Sequence, residues 1–405
     1  MRVWQFSEQP YYPAWDERHE SLRNSLPNRE LDPAVAARLY SRYTDEWGLC
    51  DELGINIMVN EHHSTATCLT SCCHLTLAVL AHATKNVRLL SLGTPLANRR
   101  DPVRVAEEIA MVDCYSQGRY EVGFVRGGPF EVWPANSQPV GQVRRFDEAY
   151  RLVMKALTTH DRTFSWEGEF FHERLVNIWP RPVQQPHPPL WFVSIGPGPG
   201  AWIAEQKGTV GTFLTGRDSK LLFDTYRRRC VALGWGMPSV DKLAYMGIVA
   251  VAETEAKAKE RAHAIAGYIR TAPQLAPRYL SPPGYVPTRI AAQAMRMSTD
   301  PDYVPAYVSV VLGDGSRVHQ RTATIDQLID AHVVFAGTPD QVVRQIGAYH
   351  RYVGGFGNLL MMGHGGALSH KDTVDNFRLF AREVLPRLQE LPAVPYELPP
   401  ERPAR

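Results

Sequence analysis

The stretch Asp101-Pro102-Val103-Arg104-Val105-Ala106-Glu107-Glu108, continued through Asp113 to Gly118 and into Arg119-Tyr120-Glu121-Val122-Gly123-Phe124-Val125, decides how the chain is read. Asp101 is a helix N-cap with proline at the first helical position. Val103, Ala106, Ala110 and Asp113 or Cys114 recur at helical spacing, and Ser116-Gln117-Gly118 stops the run. Arg119 to Val125 then reads as a strand. A helix followed at once by a short strand is one beat of the alternation that predicts a parallel sheet.

The same beat extends in both directions. Upstream lie a strand at Val3 to Phe6 and a helix opening at Asp32-Pro33, with Val35, Leu39, Tyr43, Trp47 and Cys50 on one face and Gly54 at its end. A strand at Ile55 to Val59, a helix near Ser71 to Ala83 and a strand at Val87 to Leu92 come next. Downstream, Phe146, Ala149, Tyr150, Val153 and Leu157 mark a helix. Residues 163–180 depart from the rhythm as a β-hairpin turning at Glu167-Gly168. It resumes with strands at Leu190 to Val193 and Val210 to Leu214, a helix at 218–233, a strand at 244–251 and a helix at 254–269. Residues 271–330 carry Pro, Tyr and Arg but few periodic apolar positions, and read as a lid-like insertion. A helix at 338–352, the strand Asn358 to Met362 and a helix at 372–388 finish the pattern. About eight cycles predict a closed (β/α)₈ TIM barrel, one domain over 1–390, with an extended or mobile Pro-rich tail at 391–405. A doubly wound open sheet is the alternative, but no GxGxxG follows the first strand.

Composition narrows the function. Lys and Arg number 44 against 42 Asp and Glu, so the net charge of +2 gives no basic footprint for nucleic acid. Hydrophobic residues at 44% with 21% charged support a large buried core. No apolar run reaches the span of a bilayer, and Met1 to Glu8 lacks the apolar core of a signal peptide, so a soluble, cytoplasmic protein is expected. Six cysteines in 405 residues form no disulfide framework, and Cys68, Cys72 and Cys73 lack a second cluster for zinc.

In a barrel the active site gathers at the carboxyl ends of the strands. The second strand ends in Asn60-Glu61-His62-His63, the third in Gly93-Thr94-Pro95 and the fourth in Arg126-Gly127-Gly128. The fifth ends in Ser194-Ile195-Gly196-Pro197-Gly198-Pro199-Gly200, and the last in Gly363-His364-Gly365-Gly366. A histidine at such a mouth exchanges protons near neutral pH. A metal hydrolase would use both His62 and His63, but adjacent strand residues face opposite ways. Arg126 can fork onto a phosphate, with Gly127 and Gly128 admitting the ligand; the plainer reading is a salt bridge to Glu131 or another rim carboxylate. The Gly-Pro run precedes a helix near Ala201, whose backbone N–H groups suit an anion, although Pro197 and Pro199 remove two donors. Taken alone, an ordinary stiff turn is the slightly better reading.

With these segments in order, the chain resembles the bacterial luciferase-like flavin monooxygenases from Phe6 to about Leu388. The stretches that carry the resemblance are Asn60 to His63, Arg88 to Gly93, Asp101 to Glu108, Asp113 to Gly127, Trp179 to Leu190, Gly337-Thr338-Pro339-Asp340-Gln341-Val342 and Glu383-Val384-Leu385-Pro386. The resemblance implies a (β/α)₈ barrel that uses FMN as FMNH₂, supplied by a separate NAD(P)H:flavin reductase, and O₂. A flavin C4a-peroxide then oxygenates a small organic substrate. It implies His62 as the catalytic histidine and Arg126 on the FMN phosphate; independently, a dry cavity would let His62, as a neutral imidazole, hydrogen-bond the peroxide or take a substrate proton. The resemblance also matches Ser194 to Gly200, with Ser194, Ile195, Gly196 and Gly198, to the family's phosphate loop, where prolines and glycines replace the hydroxyls of many relatives. Phe6, Glu61, Thr94, Gly127 and Gly128 complete the expected cofactor surround. Trp4, Phe6, Pro95-Leu96 and residues 271–330 are expected as apolar walls, and a homodimer as the assembly. A deazaflavin-dependent dehydrogenase of the same fold and a non-catalytic flavin-binding relative are the rival readings.

Overall fold

The computed structural model describes residues 1–400 apart from 17, 272–274, 277–278, 280–281, 287, 289–291 and 293–308. The 101–125 stretch folds as read. Asp101 caps helix α3 (Pro102–Tyr115) by accepting the Arg104 N–H, and β4 (Tyr120–Val125) follows. The strands before it are β1 (Arg2–Phe6), β2 (Asn56–Val59) and β3 (Leu89–Pro95), separated by α1 (Pro33–Leu53) and α2 (Cys73–Ala83). After it come α4 (Gln142–Thr158), the antiparallel hairpin β5 (Phe164–Glu167) with β6 (His172–Val176), and β7 (Leu190–Val193). Short α5 (Gly200–Glu205) leads to β8 (Thr209–Phe213), then α6 (Ser219–Ala232), β9 (Leu243–Val251) and α7 (Glu255–Thr271).

Eight parallel strands close on themselves in the order β1, β2, β3, β4, β7, β8, β9 and β13 (Asn358–Met362). β13 pairs back onto β1, and β9 bonds both β8 and β13. The closed barrel is therefore the fold, and the open sheet is excluded. Along each strand alternate side chains divide between two layers, as the pleat requires. Trp4, Met58, Leu90, Trp191, Ala244, Met246 and Leu360 fill the interior, while Val3, Ile57, Leu89, Val122, Phe192 and Leu359 pack under the helices. The amino-terminal mouth is plugged by polar groups. Glu121 accepts from Arg2, Arg88 and the Trp191 indole, and the Trp4 indole donates to Asn358 at 3.1 Å. Trp4 is thus bound into the amino-terminal end of the core, and Leu96 is buried beyond β3.

Two features of the later chain were not read from the sequence. Within the 271–330 insertion, β10 (Ser309–Val311) and β11 (Arg317–His319) form a hairpin, and α8 (Ile325–Asp330) opens at a Thr324–Gln327 capping box. Val310, Ala323 and Leu328 join the apolar cluster that includes Ile265 of α7. Whether the rest of this insertion forms a lid falls on residues outside those described. A ninth strand, β12 (Val334–Gly337), pairs with the last four residues of β9 and precedes α9 (Pro339–Tyr352). The chain ends in α10 (His370–Leu379) and α11 (Leu385–Gln389). The Pro-rich tail is extended but anchored: the Tyr396 hydroxyl bonds Asp224 at 2.7 Å and the ring lies 4.4 Å from the Arg227 guanidinium.

Candidate active site

The loops after β1 and β2 are laced together by backbone hydrogen bonds. Leu69 N–H reaches Gln9 O, Tyr11 N–H reaches Ala66 O, and Asn24 N–H reaches Ser64 O. This lacing delivers Glu8 and Arg23 to His62, just beyond β2. The loop after β4 contributes Glu131. His62 Nδ1 lies 2.5 Å from Glu131 Oε1, and its Nε2 lies 3.6 Å from Glu8 Oε1. Both carboxylates are buried, whereas the imidazole keeps 21% of its surface exposed. Glu8 also accepts from the Tyr268 hydroxyl, and Arg23 stands 4.0 Å from Glu8 with its guanidinium 4.6 Å from the Phe130 ring centre.

Burial alone would lower the His62 pKa. The charges of Glu8 and Glu131 outweigh it and raise the value to about 9. Reciprocally, burial opposes ionisation of Glu8 and Glu131, but the imidazolium holds both below the usual carboxylate range. His62 is therefore a cation at neutral pH, not the neutral imidazole expected. It can donate a proton or stabilise a developing anion, and at this pH it is a poor base.

Glu131 does more than hold His62. Its second oxygen accepts the Gly128 N–H at 2.7 Å, so one carboxylate ties the β2 end to the loop behind Arg126. Arg126 makes no salt bridge to Glu131, contrary to the plainer expectation. It donates from Nε to the Tyr285 hydroxyl at 2.9 Å and stacks 4.5 Å above that ring. The parallel register pairs Val122 with Leu190 and Phe124 with Phe192, so the segments that follow, from Arg126 and from Ser194, leave neighbouring strands at the same end of the barrel. At Gly196 and Gly198 an added Cβ would meet nothing within 4 Å, so the loop after β7 offers open space for a ligand. The Gly196 N–H is already bonded to Ser194 Oγ and the Gly200 N–H to Pro197 O, which leaves Gly198 and Ala201 as backbone donors.

The other expected residues separate into two groups. Phe6 is buried at the top of the interior, its ring stacked on Phe213 at 6.5 Å. Thr94 is buried on β3, with its hydroxyl 3.5 Å from Cys73 Sγ. Gly127 has φ +96°, a backbone shape suited to glycine, and Ile195 is 63% exposed. Glu61 is spent on structure: it bonds His63 Nε2 at 3.0 Å, Arg99 at 2.7 Å and the Cys73 N–H at 3.0 Å. His62 and His63 thus serve different carboxylates. Among the described residues no set of three His, Cys, Asp or Glu side chains is arranged to hold a metal ion.

Sequence reasoning missed Glu8, Arg23, Glu131 as a partner of His62, Tyr268 and Tyr285. Glu8 lies two residues past β1, so the strand-end rule applied to the first strand would have found it. The others arrive from loops and from α7, where no local spacing marks them.

The comparisons agree with this architecture. The sequence model of the luciferase-like monooxygenases matches residues 48–354, and the chain belongs to that family. The oxygenase component of a flavin-dependent trigonelline monooxygenase from Acinetobacter baylyi is 29% identical over 180 residues, 42% of this chain and 47% of that relative. The match spans about half the length of the curated relatives. Among solved structures, the oxygenating constituent of 3,6-diketocamphane monooxygenase from Pseudomonas putida, bound to FMN, superposes with a TM-score of 0.68 at 19% identity. That superposition covers 95% of this chain and 98% of the other. An F420-dependent secondary alcohol dehydrogenase superposes at 0.60 and 18% identity, covering 86% and 95%. Both structural likenesses speak to fold. No described helix is long and apolar enough to cross a membrane.

Proposed function

We propose that the chain is the oxygenase of a two-component flavin-dependent monooxygenase. It would take FMNH₂ from a separate NAD(P)H:flavin reductase and use O₂ to oxygenate a small organic substrate. The observation that carries this reading is a single pole on which a cationic His62 and the Arg126 fork are joined through Glu131 and Gly128. The residues fit a phosphorylated flavin. Arg126 keeps its terminal nitrogens without a partner among the described residues, and the Gly196–Gly198 loop after the neighbouring strand is open. Arg126, Ser194, Ile195, Gly196 and Gly198 would hold the phosphate; Gly127 and Gly128 would admit the body of the cofactor; Phe6 and Thr94 would lie beneath it, with Glu61 as a support. Bound there, the reduced flavin supplies the oxygen chemistry. The protein supplies position, a water-poor surround and, at His62, a proton donor whose charge Glu8 and Glu131 maintain.

A deazaflavin-dependent dehydrogenase would share the pole, and the fold likeness to the F420 enzyme keeps it in the test. The intact His62 clamp favours a catalyst over a passive flavin store. A homodimer fits the exposed apolar side chains Leu75 and Val79 on α2 and Met111 and Tyr115 on the adjoining α3. The experiment incubates the chain with FMNH₂ or reduced deazaflavin under argon, then admits air. Retention of FMNH₂ on gel filtration and an altered time course of its oxidation support the proposal. Oxidation at the free-flavin rate with no retention overturns it, and retention of the deazaflavin alone selects the dehydrogenase.

A further inference from the structure

Tyr285 comes from the 271–330 insertion yet is only 8% exposed, and it is fully engaged with the loop after β4. Its hydroxyl does two things at once. It donates to Gly127 O at 2.7 Å and accepts from Arg126 Nε at 2.9 Å, while its ring lies 4.5 Å beneath the guanidinium carbon. A phenol has one proton to give, and the Gly127 carbonyl takes it, so its lone pairs are left to face Nε–H. Burial raises the phenol's pKa, which keeps that proton in place. An arginine held at Nε and against an aromatic face cannot turn about its last bonds without losing both contacts. Its terminal nitrogens have no partner among the described residues and remain for an anion; continued past its last printed pair, the β4–β7 register would bring the Arg126 backbone level with Ser194.

We propose that Tyr285 is a positioning residue that fixes the Arg126 fork for a phosphomonoester, and so makes this site prefer a phosphorylated flavin to the bare riboflavin. The proposal rests on the assignment of Arg126 to the cofactor phosphate. It adds that the insertion, and not the barrel alone, sets cofactor specificity. A side chain that merely walled the pocket would touch both flavins alike. Preorganising the fork acts only on the one that carries phosphate.

The experiment titrates oxidised FMN and riboflavin onto the full chain, its Tyr285→Phe and Tyr285→Leu variants, Arg126→Ala, and the Arg126→Ala/Tyr285→Phe double variant. Tyr285→Phe is expected to raise the Kd for FMN about five- to tenfold, the scale of the net contribution of one ordinary hydrogen bond, with riboflavin unchanged. Tyr285→Leu, which also removes the ring, should raise it further. In the Arg126→Ala background Tyr285→Phe should add nothing. Equal weakening of both flavins by Tyr285→Phe, or no weakening, overturns the role of Tyr285 while leaving Arg126 in place. If Arg126→Ala itself weakens both flavins equally, the phosphate assignment fails and the proposal falls with it. The FMN-to-riboflavin ratio guards against misfolding, because a damaged chain loses both.

Discussion

Glu131 faces His62 with one carboxylate oxygen, 2.5 Å from Nδ1, and Gly128 with the other, 2.7 Å from its amide. The proton at the β2 end and the backbone behind Arg126 are therefore set by the same side chain. Removing the charge while keeping the shape isolates its electrostatic share. In Glu131→Gln the His62 pKa should fall from about 9 by about one to three units, as expected when one close carboxylate is neutralised. An NMR titration of the imidazole resonances reads this directly. A value that stays near 9 would mean that Glu8 alone holds the proton.

The same clamp makes stability depend on pH with a definite sign. His62 has a folded pKa of about 9, above its ordinary 6.5, so its contribution is fully present below 6.5 and is lost as pH rises from there through 9. Glu8 and Glu131 are depressed, so their contribution is present above the usual carboxylate pKa and is lost as pH falls through their lower folded values. Urea midpoints measured across pH 6 to 10 should decline less in His62→Gln than in the parent chain. Parallel curves would show that the ion pairs form without stabilising the fold.

Much of this site lay beyond sequence reading for a physical reason. The strands were legible because each is a short apolar run that gives way at once to polar, glycine or proline residues, and the 101–125 stretch carried a cap, a helical period and a stop signal together. His62 and Arg126 were reachable because each sits directly beyond the carboxyl end of a legible strand. The partners were not, because Glu8, Glu131 and Tyr285 meet them across separations of 54, 69 and 159 residues, fixed by barrel closure rather than local pattern. The charge of His62 is set by those partners, so its protonation was illegible for the same reason. β12 escaped notice because its four residues run directly into the Thr338-Pro339 helix start.

Glu61 illustrates a residue whose place in the strand-end motif is structural. Its side chain is fully buried against Arg99, and it also accepts the Cys73 N–H at the start of α2. Glu61→Ala leaves Arg99, 23% exposed, without its counter-ion and the first turn of α2 without an acceptor. The loss should be roughly 3 kcal/mol in urea unfolding, the scale for breaking a buried pair from one side. A loss below about 1 kcal/mol would place Arg99 among exposed ion pairs of little consequence.

Gly123 tests how tightly the barrel wall is drawn between β3 and β4. A methyl group there would collide with the Leu92 side chain and the Ser91 carbonyl oxygen, where the β3–β4 register shifts. Backbone cannot retreat as a flexible side chain can, so Gly123→Ala should cost about 1–3 kcal/mol through overpacking, read as a lower urea midpoint. An unchanged midpoint would show that the two strands can part to admit the methyl group.

The tail offers a cleaner separation of structure from chemistry, because Tyr396 shares no contact with His62 or its partners. Its ring fills the space above Gly354 and lies 4.4 Å from the Arg227 guanidinium, which also bonds the carbonyls of Val353, Gly354 and Gly355. These carbonyls belong to the turn that feeds β13, the strand that closes the barrel onto β1. Tyr396→Ala should therefore lower the unfolding midpoint by the equivalent of about 1–2 kcal/mol, from lost aromatic burial and cation–π contact. It should also make the segment after Leu391 an early target of limited proteolysis. Flavin affinity should stay as in the parent chain. A variant that loses flavin while keeping its unfolding midpoint would show the tail to reach the opposite pole by some other route.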